Sequence, residues 1–143
     1  MIVVLDTNAL IQIFGHASPL APIREALLRG GLHLAVSTPI LLEYEEVTVR
    51  YAGHQRWQDV WAFLTLISRL HGSIHHIGPS YRFHTITGDA DDDAFADCAI
   101  VSDAKHLITS DRHFDVLIGS GYQPQPITPG EFIRRFLNGG AAP

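Results

Sequence analysis

The run Ile2–Asn8 (IVVLDTN) sets four apolar residues directly before a carboxylate. A short, continuous apolar run of this kind reads as a strand buried on both faces, as in a parallel sheet. In such a sheet ligands bind beyond the carboxyl ends of the strands, which is where Asp6 falls. Leu107–Ser110 (LITS) leads into Asp111 in the same way. Either aspartate alone is also explained as the N-cap of a following helix. Two of them on strands of one sheet point to a shared site.

Leu32–Val36, Ser73–Ile77 and His106–Thr109 read as further strands, with a weaker fifth near Tyr122–Ile127. Pro124 and Pro126 have no amide hydrogen to donate, so this fifth strand is expected at an edge. Helical patterns occupy Ala9–Phe14, Leu20–Arg29, Pro39–Tyr51, Trp57–Leu70, Asp92–Ala104 and Pro129–Leu137. Gly30-Gly31 closes the second of these, and Ser37 or Thr38 caps the third, with Pro39 near its first position. Strands alternating with helices argue for an α/β fold, a parallel sheet with helices on both faces. Gly78–Gly88 is the longest expected loop. Residues 1–137 are expected to form one domain, and residues 138–143 (NGGAAP) a flexible tail.

The 143 residues are 46% hydrophobic and 17% charged, enough for one domain with a real core and against disorder. No apolar run approaches the roughly 20 residues that span a bilayer, and the first strand begins without room for a signal peptide. Cys98 is the single cysteine, which excludes an internal disulfide and a Cys-based zinc site. A soluble, cytoplasmic protein with no membrane partner is the expectation.

The net charge of −5 is unevenly placed. Asp89–Asp115 holds eight aspartates against Lys105 and Arg112, a net −6, and the rest of the chain sums to +1. Such concentration suggests a cation site, although a solvated acidic loop has the same composition. At about 100° per residue, Ile40, Tyr44, Val47 and Tyr51 share a helical stripe. Glu43 lies nearest to it, while Glu45 and Glu46 fall on the polar side and Glu46 pairs with Arg50. Asp93 and Asp97 are one turn apart and share a face with Ile100 and Ala104. Asp91 and Asp92 suit the start of that helix, where acids favour the macrodipole. Asp6, Glu43, Asp93, Asp97 and Asp111 therefore converge as a carboxylate set, which either shares protons or binds a hard cation such as Mg²⁺ or Mn²⁺. The nine histidines show no zinc spacing, and only His113 lies near one of these acids.

The ordered set VVLDTN at the start, LLEYEEV at 41–47, DADDDAFA at 89–96, LITSD at 107–111 and ITPGEF at 127–132 resembles the PIN-domain nucleases. Within them it is most similar to the VapC-like toxin components of toxin–antitoxin pairs. The resemblance implies a three-layer α/β/α fold with a parallel five-stranded sheet and a metal-dependent ribonuclease activity. It carries the catalytic acids over as Asp6, Glu43, Asp93 and Asp111. Asp6, Asp93 and Asp111, with Asp97 as a further ligand, would hold the metal, Mg²⁺ or Mn²⁺. Asp97 matches a position that is acidic in some members only. Thr7 and Asn8 match polar residues beside the first aspartate, and Ser110 a small polar residue before the last. Bound Mg²⁺ would activate water and neutralise charge developing on the phosphate, with Glu43 holding a second ion or orienting the water. Arg50, Arg82 and Arg112 are the candidates to attract RNA phosphates. The stretch Tyr81–Thr87 departs from the family pattern. A cognate antitoxin and a homodimer are the protein partners implied, the latter through apolar residues of Trp57–Leu70.

Two other chemistries fit less well. A haloacid-dehalogenase-type phosphatase wants D-x-D after its first strand, where this chain has Asn8. A receiver domain wants an acidic pair there and a lysine near its last strand, whereas the single lysine is Lys105. A PIN fold that binds RNA or protein without cleaving, or a non-toxin RNA-processing nuclease, is the alternative reading. Such a converging carboxylate set predicts unequal acids. Asp6→Asn, Asp93→Asn and Asp111→Asn should each slow RNA cleavage by at least about 100-fold. Asp91→Asn and Glu45→Gln should change it little, as steady-state rates on one RNA would show.

Overall fold

Strands β1 (Ile2–Leu5), β2 (His33–Val36), β3 (Ile74–His76), β4 (His106–Ile108) and β5 (Pro126–Ile127) form one parallel sheet in the order β3-β2-β1-β4-β5. The computed structural model describes residues 1–78 and 90–139, and of residues 90–92 the backbone alone. All of the expected loop Gly78–Gly88 beyond Gly78, including Tyr81–Thr87 and Arg82, falls outside the described residues, as do the side chains of Asp91 and Asp92. β1 is central, in register with β2 through Val3↔Leu34 and with β4 through Leu5↔Ile108. That position explains its uninterrupted apolar run: Val3, Val4 and Leu5 are fully buried. β5 is the edge strand that its prolines imply, and only two residues of the expected Tyr122–Ile127 pair with β4.

From β1 the chain moves through β2 to β3 on one side, then returns to place β4 and β5 on the other. Right-handed crossovers put the two sets of connections on opposite faces of the sheet, giving the three-layer α/β/α arrangement. α1 (Thr7–Ile13) and α2 (Ala21–Leu28) join β1 to β2, and α3 (Thr38–Ala52) and α4 (His54–His71) join β2 to β3. α5 (Ala90–Val101) precedes β4. α6 (Pro129–Phe132) runs on into a π-helical turn, Ile133–Leu137. A 3-10 helix, Arg112–Leu117, connects β4 to β5 and has no counterpart in the sequence reading.

α3 carries the sequence signals of its ends. The Ser37 hydroxyl accepts from the Ile40 amide at 3.5 Å, and Pro39 sits in the first turn. Gly53, at φ 89°, divides α3 from α4. Its buried row is Ile40, Tyr44 and Thr48, not the expected stripe through Tyr51, which is 75% exposed. The row follows i, i+4 spacing and so drifts around the helix by the last turn.

Tyr44 is the side chain that fastens α3 to the sheet. Its hydroxyl donates to the Leu5 carbonyl at 2.6 Å, and its ring lies 6.1 Å from that of Phe95 on α5. Phe95 in turn meets Phe114 of the 3-10 helix edge-on, at 6.5 Å. Burial first, then the neighbouring Cys98, Asp6 and Glu43, raise the Tyr44 pKa well above its ordinary value, so the group stays a donor. Two histidines also serve the fold: His33 Nδ1 lies 2.8 Å from His75 Nε2, with the rings stacked. Tyr44→Phe keeps the ring and removes the bond, so it should cost about 1–2 kcal/mol. Urea unfolding should show this as a lower midpoint with an unchanged slope.

Candidate active site

The order of the sheet reverses between β1 and β4, so the crevice at their carboxyl ends is the expected ligand position. Asp6 leaves β1 there, and Asp111 lies three residues beyond the end of β4. Asp6 is buried, at 6% exposure. It caps α1: Oδ1 accepts from the Ala9 amide at 2.8 Å. Its other oxygen, Oδ2, accepts from the Thr109 hydroxyl. The Asp6 amide donates to the Ile108 carbonyl at 3.1 Å, which extends the β1–β4 ladder up to the site.

Thr109 is buried and fully engaged. Its hydroxyl donates to Asp6 and accepts from the Asp111 amide at 2.9 Å, while its own amide donates to Ile127. Asp111 is partly exposed and caps the 3-10 helix, accepting from the His113 amide at 2.9 Å. The cap readings of both aspartates were therefore correct and do not compete with a site. A carboxylate has lone pairs beyond those used by one backbone donor.

A cavity of 160 Å³ opens beside the two acids, lined by Asp6, Asn8, Ala9, Gln12, Ser110 and Asp111. Asn8 and Ser110, both exposed, thus stand where the sequence reading set them. Thr7 is buried next to Asp6, and its hydroxyl has no hydrogen-bond partner among the described residues. Glu43 is half-buried beside Tyr44, whose hydroxyl feels both its charge and that of Asp6. Asp93 and Asp97 are buried on α5, at 8% and 5% exposure, and α5 packs against β1, β4 and α3. Cys98 follows Asp97 and is inert: burial, with the Asp97 charge adding, pushes its thiol up to about 12.

The structure thus unites Asp6, Asn8, Ser110 and Asp111 on one cavity. It does not bring Glu43, Asp93 or Asp97 onto that lining. Among the described residues no three His, Cys, Asp or Glu side chains form a group that could hold a metal ion. Arg112 is exposed next to Asp111, while Arg50 is engaged with Glu46 at 2.5 Å on the solvent side of α3. Thr109 and Gln12 were missed. Thr109 closes an apolar run, where it read as strand; the signal was a hydroxyl at the last buried position before Ser-Asp.

A family model for the PIN domain matches residues 2–113. The chain belongs to the PIN domain family. The PIN fold is also found by structural likeness, to a chain of the crystal structure of VapBC2 from Rickettsia felis bound to a DNA fragment from their promoter. The TM-score is 0.54 at 18% identity, with 90% of this chain and 97% of that chain covered. No curated protein matches the sequence. Within this PIN domain the side chains around the cavity offer oxygen ligands only: two carboxylates, two amide oxygens and a hydroxyl. That set fits Mg²⁺ or Mn²⁺, which bind through one or two carboxylates and keep several waters.

Burial raises the pKa of Asp6; the bonds from Thr109 and Ala9 offset part of this, and the Asp111 charge adds to it. A raised carboxyl binds its proton more tightly in the folded chain than in the unfolded one. Its contribution to stability is therefore present below the ordinary value of 3.8 and is lost as pH rises through the folded pKa. Asp6→Asn, which retains an N-cap, should remove that loss. In EDTA near neutral pH it should melt higher than the wild type, and it should gain less from added Mg²⁺. A lower melting temperature in EDTA would refute the reading of Asp6 as a strained carboxylate.

Proposed function

We propose that this PIN domain is a Mg²⁺- or Mn²⁺-dependent endoribonuclease, and that it serves as the toxin of a type II toxin–antitoxin pair. One observation carries the catalytic part: two aspartates from the strands flanking the switch point share one small, oxygen-lined cavity. A larger apolar cavity of 340 Å³ lies elsewhere, lined by residues such as Val36, Trp61, Leu64 and Ile74, with no carboxylate on its wall. Chemistry, not size, selects the site.

Asp6 and Asp111 would hold the cation, with Asn8 and Ser110 adding neutral oxygens at the rim and Asp93 the family's further ligand. When bound, the ion activates water and screens the charge developing on the phosphate. Asp6 would be kept ionised by that ion against the burial that raises its pKa. Thr109 holds the Asp6 carboxylate in one orientation, so little reorganisation is needed when substrate arrives. Glu43, beside the Tyr44 hydroxyl, would position the attacking water, and Asp97 would support the site from the next turn of α5. Arg112 would draw the phosphate backbone toward an otherwise acidic rim.

The toxin assignment rests on the likeness to a VapBC2 chain together with the motifs, and it implies a cognate antitoxin. A homodimer is supported by Trp61, Leu66 and Leu70, which α4 leaves 50%, 45% and 59% exposed. No described helix is long and apolar enough to cross a membrane. Purified protein should cleave single-stranded RNA with Mg²⁺ or Mn²⁺, lose that activity in EDTA and regain it on adding excess metal. Full activity in EDTA, or a strict need for Zn²⁺, would overturn the mechanism. RNA binding without cleavage at any metal concentration would favour the non-catalytic alternative.

A further inference from the structure

We infer that a second cavity, on the β5 side of Asp111, is a pocket for one unstacked nucleobase of single-stranded RNA. The inference rests on the nuclease reading and names a subsite for its substrate. The cavity measures 290 Å³ and lies between the end of β4, the 3-10 helix and β5. It shares Ser110 and Asp111 with the acidic cavity, so one short wall separates the two. A phosphodiester held at Asp6 and Asp111 has its own nucleoside immediately at hand, and this is the adjoining space.

The lining suits a base. Ile118, Pro126 and Ile127 supply apolar surface for its faces. Ile118 is 63% exposed, a large aliphatic side chain left in water beside charged neighbours. Around it stand Arg112, Asp115 and Thr128, which supply polar groups for a base edge. A guanidinium also stacks on flat π-systems, and a carboxylate accepts from the exocyclic amino group of cytosine, adenine or guanine. The volume is too small for a docked protein helix, and a base inside a duplex could not enter it. Single-stranded RNA with splayed bases meets both conditions.

The test uses the full chain in Ca²⁺, with a fluorescent short single-stranded RNA of mixed sequence and an abasic ribose-phosphate strand of the same length. The wild type should bind the RNA about tenfold more tightly than the abasic strand, a difference that phosphate attraction cannot supply. Ile118→Asp should bring RNA binding down to the abasic level while melting like the wild type, since the side chain is exposed. Val116→Asp, at a site 56% exposed and off the cavity lining, should leave RNA binding unchanged. Equal wild-type affinity for the two strands overturns the pocket, as does wild-type affinity in Ile118→Asp. Failure of the wild type to bind RNA also overturns it and would leave this face to a protein ligand. Cleavage in Mg²⁺ is read separately: equal cleavage of both strands would uphold the nuclease and reject the base pocket.

Discussion

A single hydroxyl, that of Thr109, ties the two ends of the central strands together. It donates to the Asp6 carboxylate and accepts from the Asp111 amide, so the loops leaving β1 and β4 are fixed to each other. Backbone pairing would align the strands and the Ala9 amide would hold one Asp6 oxygen, but the other would have no donor. With the hydroxyl in place, both Asp6 oxygens are aimed by protein donors, and the adjacent caps of α1 and the 3-10 helix follow from the same geometry. Fold and site here share their hydrogen bonds.

That sharing has an energetic consequence. A carboxylate 6% exposed next to a second acid is costly, and the hydrogen bonds reaching it compensate only in part. The chain retains the group, and one residue away it buries the Thr7 hydroxyl, which has no partner among the described residues. A buried carboxylate and a buried hydroxyl meet at this crevice, where a bound cation would offset part of the cost. Tyr44 carries the same crevice toward the far layers: its hydroxyl reaches β1, and its ring meets Phe95, which leads on to Phe114.

The parallel sheet was legible because β1 and β4 are buried on both faces and so cannot alternate polar with apolar residues. Asp6, Asp111 and the buried placement of Asp93 and Asp97 were legible for the related reason that strand ends and helix faces follow fixed periods. Glu43 was separated from Glu45 and Glu46 by the same arithmetic. What periodicity could not show is anything shorter than its own repeat. The 3-10 helix after Asp111 is too brief to display a face, and β5 shrank to the two residues that pair with Leu107 and Ile108. Tyr51 was misplaced because a helical row drifts along its length. Thr109 was passed over because a threonine within an apolar run reads as ordinary strand, and its partner is 103 residues away in sequence.

Both rims of the sheet are unusually brief. β3 has three residues, and β5 has two, one of them Pro126, which has no amide hydrogen to offer. A strand from another molecule would find little backbone to zip against on either side. For a chain that is 46% hydrophobic this matters for colloidal behaviour. Its apolar centre is sealed between helices, and open-ended stacking of one copy's strands on the next is discouraged at both margins, without recourse to charged guard residues.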